Sequence, residues 1–205
     1  MDIKAAIENY EVIIFDLGGV VIDLTYEDTI DALEQLGAQD FKELYSQALQ
    51  SDLFDRYETG AISSLHFINK LKEYLPASIS PNKVVSAWNA MIKSFQPEKL
   101  DFLLKLKLSH KTALLSNTND LHETFVRRKL SEQTNLPLEA YFHNTYLSHQ
   151  IKQRKPHPET FLWVCEEMGV KAKDVLFIDD SAQHIEGAKK AGLNALLFPQ
   201  NDVWY

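Results

Sequence analysis

Five short runs, VIIF at 12–15, TALL at 112–115, TYL at 145–147, VLFI at 175–178 and ALLF at 195–198, are apolar at nearly every position. A strand with one face in water alternates polar and apolar residues, so a run that does not alternate is buried on both sides, as in the interior of a parallel sheet. Parallel neighbours need a crossover between them, and helical patterns separate most of these runs. PEKLDFLLKLKL opens on a proline and spaces its leucines at helical intervals; HPETFLWVCEEMGV has Pro158 near its start and Gly169 at its end; SAQHIEGAKKAGL follows the fourth run, with Ser181 as a candidate N-cap and Gly192 as a stop. The alternation predicts a layered α/β fold.

One interval breaks that rhythm. Between Asp23 and Pro97 no strand is expected, only helical stretches: TIDALEQLG, FKELYSQALQ, SSLHFINKLKEYL and NKVVSAWNAMIKSF. This is too long for a crossover. A core of residues 1–23 and 97–205, with a helical cap of residues 24–96 inserted after the first strand, accounts for it. At 205 residues, one substantial core with a smaller appended unit is the expected organisation.

Ligands of open parallel sheets bind beyond the carboxyl ends of the strands, so the residues that follow each run carry the functional information. They are Asp16, then Ser116 and Asn117 in SNTND, then Lys155 in RKPHP, then the adjacent Asp179 and Asp180. Alone, each reads as a turn, cap or loop residue. Their joint appearance at successive strand ends changes the weight. Neighbouring carboxylates at the end of an apolar strand repel and lose hydration, which costs several kcal/mol unless a cation or hydrogen-bond donors compensate. Magnesium suits such a site, taking a few carboxylate oxygens together with a substrate phosphate. One carboxylate can then attack phosphorus, Lys155 can screen it from the incoming anion, and the Ser116 hydroxyl with the Asn117 N–H can hold phosphoryl oxygens. A net charge of -8 and a pI near 5.4 argue against nucleic acid as a partner, yet leave room for a small anion in a local pocket.

The motif order, DLGGV, LLSNTN, Lys155 in RKPHP and FIDDSAQHIEGAKKAG, resembles that of the haloacid dehalogenase-like superfamily of hydrolases over nearly the whole chain. The resemblance implies a Rossmann-like parallel sheet flanked by helices and a magnesium-dependent phosphomonoesterase that works through an aspartyl phosphate. Asp16 would be nucleophile and metal ligand, Ser116 a phosphate binder and Lys155 the neutralising cation. Asp180 and Asp179 would hold magnesium with the main-chain carbonyl of Gly18. FDLGGVV, ETGAIS, LSNTNDLH and KPHPETF are most similar to bacterial sugar-phosphate phosphatases, including those for α-D-glucose 1-phosphate, and to the phosphatase domain of soluble epoxide hydrolases.

Two positions depart from the pattern. Gly18 stands where most such phosphatases carry a second aspartate for acid–base chemistry, a loss of about 10²–10⁴ in rate unless the leaving group tolerates it, as an anomeric hydroxyl does. His184 stands where the fourth motif often has Asp or Asn; four residues beyond Asp180, it reads either as an ordinary helix histidine or as a partner of the metal shell. Two other activities are open: a hydrolytic 2-haloacid dehalogenase, which also lacks the second aspartate and needs no metal, and a phosphate-binding homologue with little turnover. In the cap, Arg56, Tyr57 and Glu58 can reach a sugar and Trp88 offers an apolar face. Trp88 reads more simply as cap core, however, Arg56 with Glu58 as a surface pair, and His157 as the opening of a helix.

The single cysteine, Cys165, forbids an intramolecular disulfide, and the opening MDIKAAIENYEV lacks the basic and apolar regions of an export signal. A cytoplasmic monomer or homodimer without membrane partners is expected.

Overall fold

The computed structural model describes residues 3–38, 41 and 52–204. Its strands in chain order are β1 (Val12–Phe15), β2 (Ile22–Leu24), β3 (Ile92–Phe95), β4 (Lys111–Ser116), β5 (Asn144–Leu147), β6 (Val175–Asp179) and β7 (Asn194–Leu197). Five of them form a parallel sheet in the order β5-β4-β1-β6-β7. Strand side chains alternate between faces, so each apolar run feeds two cores. Ile13, Phe15, Leu114, Leu176 and Ile178 pack on one face with helices Pro97–Leu106 and Asp120–Ser131; Val12, Ile14, Ala113, Val175 and Phe177 pack on the other with helices Pro158–Met168 and Ala182–Lys190. That two-sided burial is why the strands read as continuous apolar runs, and the fold is the expected Rossmann-like α/β sheet.

Local chemistry sets the helix ends. Pro97 and Pro158 occupy first-turn positions, where the missing N–H has no intrahelical partner to lose. Gly169, at φ +63°, closes Pro158–Met168 in the left-handed conformation. Among the described residues, no helix is long and apolar enough to cross a membrane.

The interval after β1 has one feature that was not expected. It is bounded by a two-stranded antiparallel ribbon, with Ile22 opposite Phe95 and Leu24 opposite Ile92, where no strand was expected. IKSF reads locally as the tail of a helix; what makes it a strand is a partner some seventy residues upstream, and that pairing leaves no local pattern. Between the strands lie helices Tyr26–Gln35, Asp52–Glu58, Ser64–Lys72 and Pro81–Trp88, built around Phe54, Tyr57, Phe67 and Trp88. The expected helix FKELYSQALQ lies, apart from Phe41, outside the described residues.

Two polar side chains tie the ribbon to the sheet domain. Asn201 donates through Nδ2 to the Leu24 carbonyl at 2.7 Å and accepts the Leu24 N–H on Oδ1 at 2.8 Å, supplying β2 with the backbone partners a third strand would give. Lys99 is 1% exposed; its ammonium donates to the Val20 carbonyl at 2.8 Å and lies 3.7 Å from Asp23. Burial lowers its pKa against the pull of Asp23. Replacing Lys99 by methionine keeps the volume and removes the donor, so urea unfolding should show a loss of about 1–3 kcal/mol, the cost of an unsatisfied buried carbonyl; unchanged stability would mean that the bond is dispensable.

Candidate active site

Parallel register brings the acids together. Phe15 of β1 lies opposite Ile178 of β6, and the Asp16 N–H donates to the Ile178 carbonyl at 2.9 Å, so Asp16 and Asp179 stand level on adjacent strands. Strands in a sheet are about 4.8 Å apart, close enough for strong repulsion between buried carboxylates. Lys155 resolves it. The lysine is fully buried, and its ammonium donates to Asp16 Oδ1 and to Asp179 Oδ2, each at 2.6 Å.

Asn117 aims that lysine. Its Oδ1 accepts the Lys155 N–H at 2.9 Å and its Nδ2 donates to the Lys155 carbonyl at 2.8 Å, so the side chain clamps the backbone of the loop. This positioning role was not expected from the sequence, in which only the main-chain N–H of Asn117 has a use. Ser116 ends β4, is 3% exposed, and lines the cavity described below.

Asp179 is fully engaged. Oδ1 accepts the Ser181 N–H at 2.7 Å, and His184 Nδ1 lies 3.0 Å from both oxygens. His184 is therefore a partner of Asp179 rather than an ordinary helix histidine. Burial alone would raise the Asp179 pKa, but Lys155 and His184 outweigh it and hold the group at about 2. The other two acids are left short of positive charge. Burial pushes Asp16 up to about 7 despite Lys155, with Asp179 adding to the rise, and burial together with Asp179 pushes Asp180 up to about 6. Gly19, at φ +73°, admits the Asp180 carboxylate against its Cα, where a Cβ would collide with Oδ2.

One oxygen from each of Asp16, Asp179 and Asp180 lies within 4.8 Å of the others, the spacing of ligands around a single ion. Three clustered carboxylates against one ammonium, two of them with raised pKa values, form a donor set that a hard dication fits. Gly18, in the turn after β1, lies beside them in the chain and lines the adjacent cavity.

That cavity, of about 110 Å³, is walled by Gly18, Ser116 and His122 from the sheet side and by Phe54, Glu58 and Trp88 from the helical segment. Trp88 is 3% exposed and stacks on Phe54 and on His122, with ring centroids 5.5 and 4.9 Å apart. Ser64 donates to Asp120 at 2.9 Å across the same boundary. Arg154 pairs with Asp55 and with Glu58, at 3.0 Å in the latter case. Arg56 lies against Asp52 instead, so the expected Arg56–Glu58 surface pair does not form. His157 is the N-cap residue of Pro158–Met168.

A family model described as haloacid dehalogenase-like hydrolase matches residues 10–192. The chain is 29% identical to a D-ribitol-5-phosphate phosphatase of Bacteroides thetaiotaomicron over 189 residues, 92% of this chain and 91% of that protein. It is 26% identical to a phosphorylated carbohydrates phosphatase of Thermotoga maritima, over 91% of this chain and 83% of the relative. Among solved structures, a wild-type HAD family enzyme of Bacteroides thetaiotaomicron in complex with magnesium and inorganic phosphate is similar with a TM-score of 0.88 at 32% identity, covering 95% of this chain and 97% of the other.

The raised pKa values fix a pH dependence. A carboxyl that binds its proton more tightly in the folded chain makes the fold less stable as pH climbs from the unfolded value of 3.8 to the folded one, about 7 for Asp16 and about 6 for Asp180. Asp179 works in the opposite sense, but only below about 4. In chelator, the melting temperature should fall between about pH 5 and about pH 7.5, and added magnesium should recover more of it at the higher value. A flat metal-free profile would show that the acids carry no such strain.

Proposed function

The chain belongs to the haloacid dehalogenase-like hydrolases, and on that premise we propose that it is a magnesium-dependent phosphatase of a small phosphorylated carbohydrate. The observation that carries this reading is the convergence of Asp16, Asp179 and Asp180 around one buried lysine, with less positive charge than they require. The names of the phosphatases it is similar to support the same substrate class.

Magnesium, held by Asp16, Asp180 and the Gly18 carbonyl with Asp179 beside them, would neutralise phosphoryl charge and orient the group for in-line attack. The protein's own residues do the rest. An oxygen of Asp16 attacks phosphorus as the bond to the sugar oxygen breaks, giving an aspartyl phosphate that water then hydrolyses. Lys155 favours the ionised form of Asp16 against its burial and lowers the repulsion that an incoming phosphate meets. Ser116 donates its hydroxyl to a phosphoryl oxygen, with the Asn117 N–H nearby. Asn117 and His184 act indirectly, the first by fixing the Lys155 backbone and the second by fixing Asp179.

Residues 24–96 serve as the cap. Trp88, Phe54 and Glu58 close over the strand ends, exclude water and set which sugar fits. A dehalogenase has no use for three clustered acids, so the same convergence disfavours that alternative.

Phosphate release should be measured from sugar 1- and 5-phosphates, polyol phosphates, nucleotides and phosphoglycolate, with magnesium and with chelator. Release is expected with magnesium only, best with a sugar or polyol phosphate, and Asp16→Asn should reduce it to background. Halide release from 2-haloacids in chelator would overturn the proposal, and phosphate binding without turnover would reduce the chain to a binding protein.

A further inference from the structure

A sugar alkoxide is a poor leaving group until it is protonated, and position 18 has no side chain to donate a proton. The Gly18 backbone lies outside the left-handed region, so the chain itself would accept another residue there. What fills the space is Leu24, whose Cδ1 occupies the path of a Cβ at position 18. Asn201 holds the Leu24 backbone on both its donor and its acceptor. The approach that an acid at position 18 would take is thus occupied by a hydrocarbon side chain, which would have to move to admit one.

Glu58 faces the same cavity from the other side. It is the last residue of the helix Asp52–Glu58, its side chain is 24% exposed, and among the described lining residues it is the sole carboxylate. Its Oε2 is buried without a directed hydrogen bond, although Arg154 Nη2 lies 3.0 Å away. On the phosphatase reading above, we infer that Glu58 donates the proton to the leaving oxygen and then accepts one from the hydrolytic water.

The protons balance. As Asp16 bonds to phosphorus and the bond to the sugar oxygen breaks, the Glu58 carboxylic acid gives its proton to that oxygen and becomes a carboxylate. The carboxylate then takes a proton from water as the water oxygen bonds to phosphorus. The Asp16–phosphorus bond breaks, inorganic phosphate forms, and both acids return to their starting states.

The surroundings suit a group that must both give and take a proton near neutral pH. Burial pushes Glu58 up to about 7, with Lys155 pulling it down and Asp16 pushing it up. Asp55, on the same helix, shares the Arg154 guanidinium. His149, on the adjacent short helix Ser148–Ile151, pairs with Glu123, and Lys152 donates to the Gly60 and His149 carbonyls. His122, the imidazole in the cavity wall, is driven down to about 4 by burial and is neutral, with Nε2 3.2 Å from the Trp88 carbonyl.

The experiment compares ribitol 5-phosphate, whose alkoxide needs a proton, with p-nitrophenyl phosphate, whose phenolate does not. Glu58→Gln should lower kcat/KM for the polyol phosphate by about 10²–10⁴-fold, leave kcat/KM for the aryl ester, which reports phosphoryl transfer to Asp16 and not the later hydrolysis, nearly unchanged, and remove the fall in kcat/KM for the polyol phosphate above neutral pH. Equal losses of kcat/KM on both esters, or none on either, would overturn the inference. If the variant does not fold, the wild-type chain decides: a basic limb with the polyol phosphate alone supports Glu58, and identical profiles overturn it. A wild-type chain inert to both esters with magnesium would remove the phosphatase reading itself, an outcome distinct from either.

Discussion

Everything about this site depends on Lys155 lying between two acids. An ammonium with no solvent exposure is expensive on its own, and so are two buried carboxylates on neighbouring strands. Together they satisfy one another in hydrogen bonds of 2.6 Å, and neither partner could be kept without the other. The arrangement still falls short of neutrality once Asp180 is included, a deficit that a bound dication would offset. The Asn117 clamp shows how much of the local structure exists to hold the lysine in place. Two of its hydrogen bonds fix nothing but the peptide from which Lys155 projects.

The sheet was legible in the sequence because burial on both faces erases alternation. The runs read as strands and the observed elements agree to within a residue at either end; Asp179, expected just after its strand, is the strand's last residue. The acids were legible for a related reason, since successive strand ends in a parallel sheet share one edge. The β2–β3 ribbon was not, because IDL and IKSF become strands only by pairing with each other. Asn201 was equally silent: an asparagine near the far end of the chain gives no sign that its side chain will complete a strand 177 residues earlier.

Glu58 was hidden in a different way. In ETGAIS it is placed to reach a sugar but reads more simply as part of an exposed turn, its charge paired with Arg56. Which way a short helix points its final side chain depends on how that helix seats on the sheet. The seating is fixed by contacts between distant segments: Trp88 against His122, Ser64 against Asp120, and Arg154 against Asp55. Local periodicity distinguishes a buried face from a wet one. It cannot distinguish water from a cavity.

The link from Asn201 to Leu24 also bears on how the molecule comes into being. A ribosome makes the chain from its amino end, so β2 emerges early and waits, with a backbone donor and acceptor unmatched, until residue 201 is free to fold back. Closing so large a loop is slow in comparison with forming local helices. The turn at Gly18 is therefore fully supported only after segments 177 residues apart have met, so this corner of the site is completed later than the helices around it.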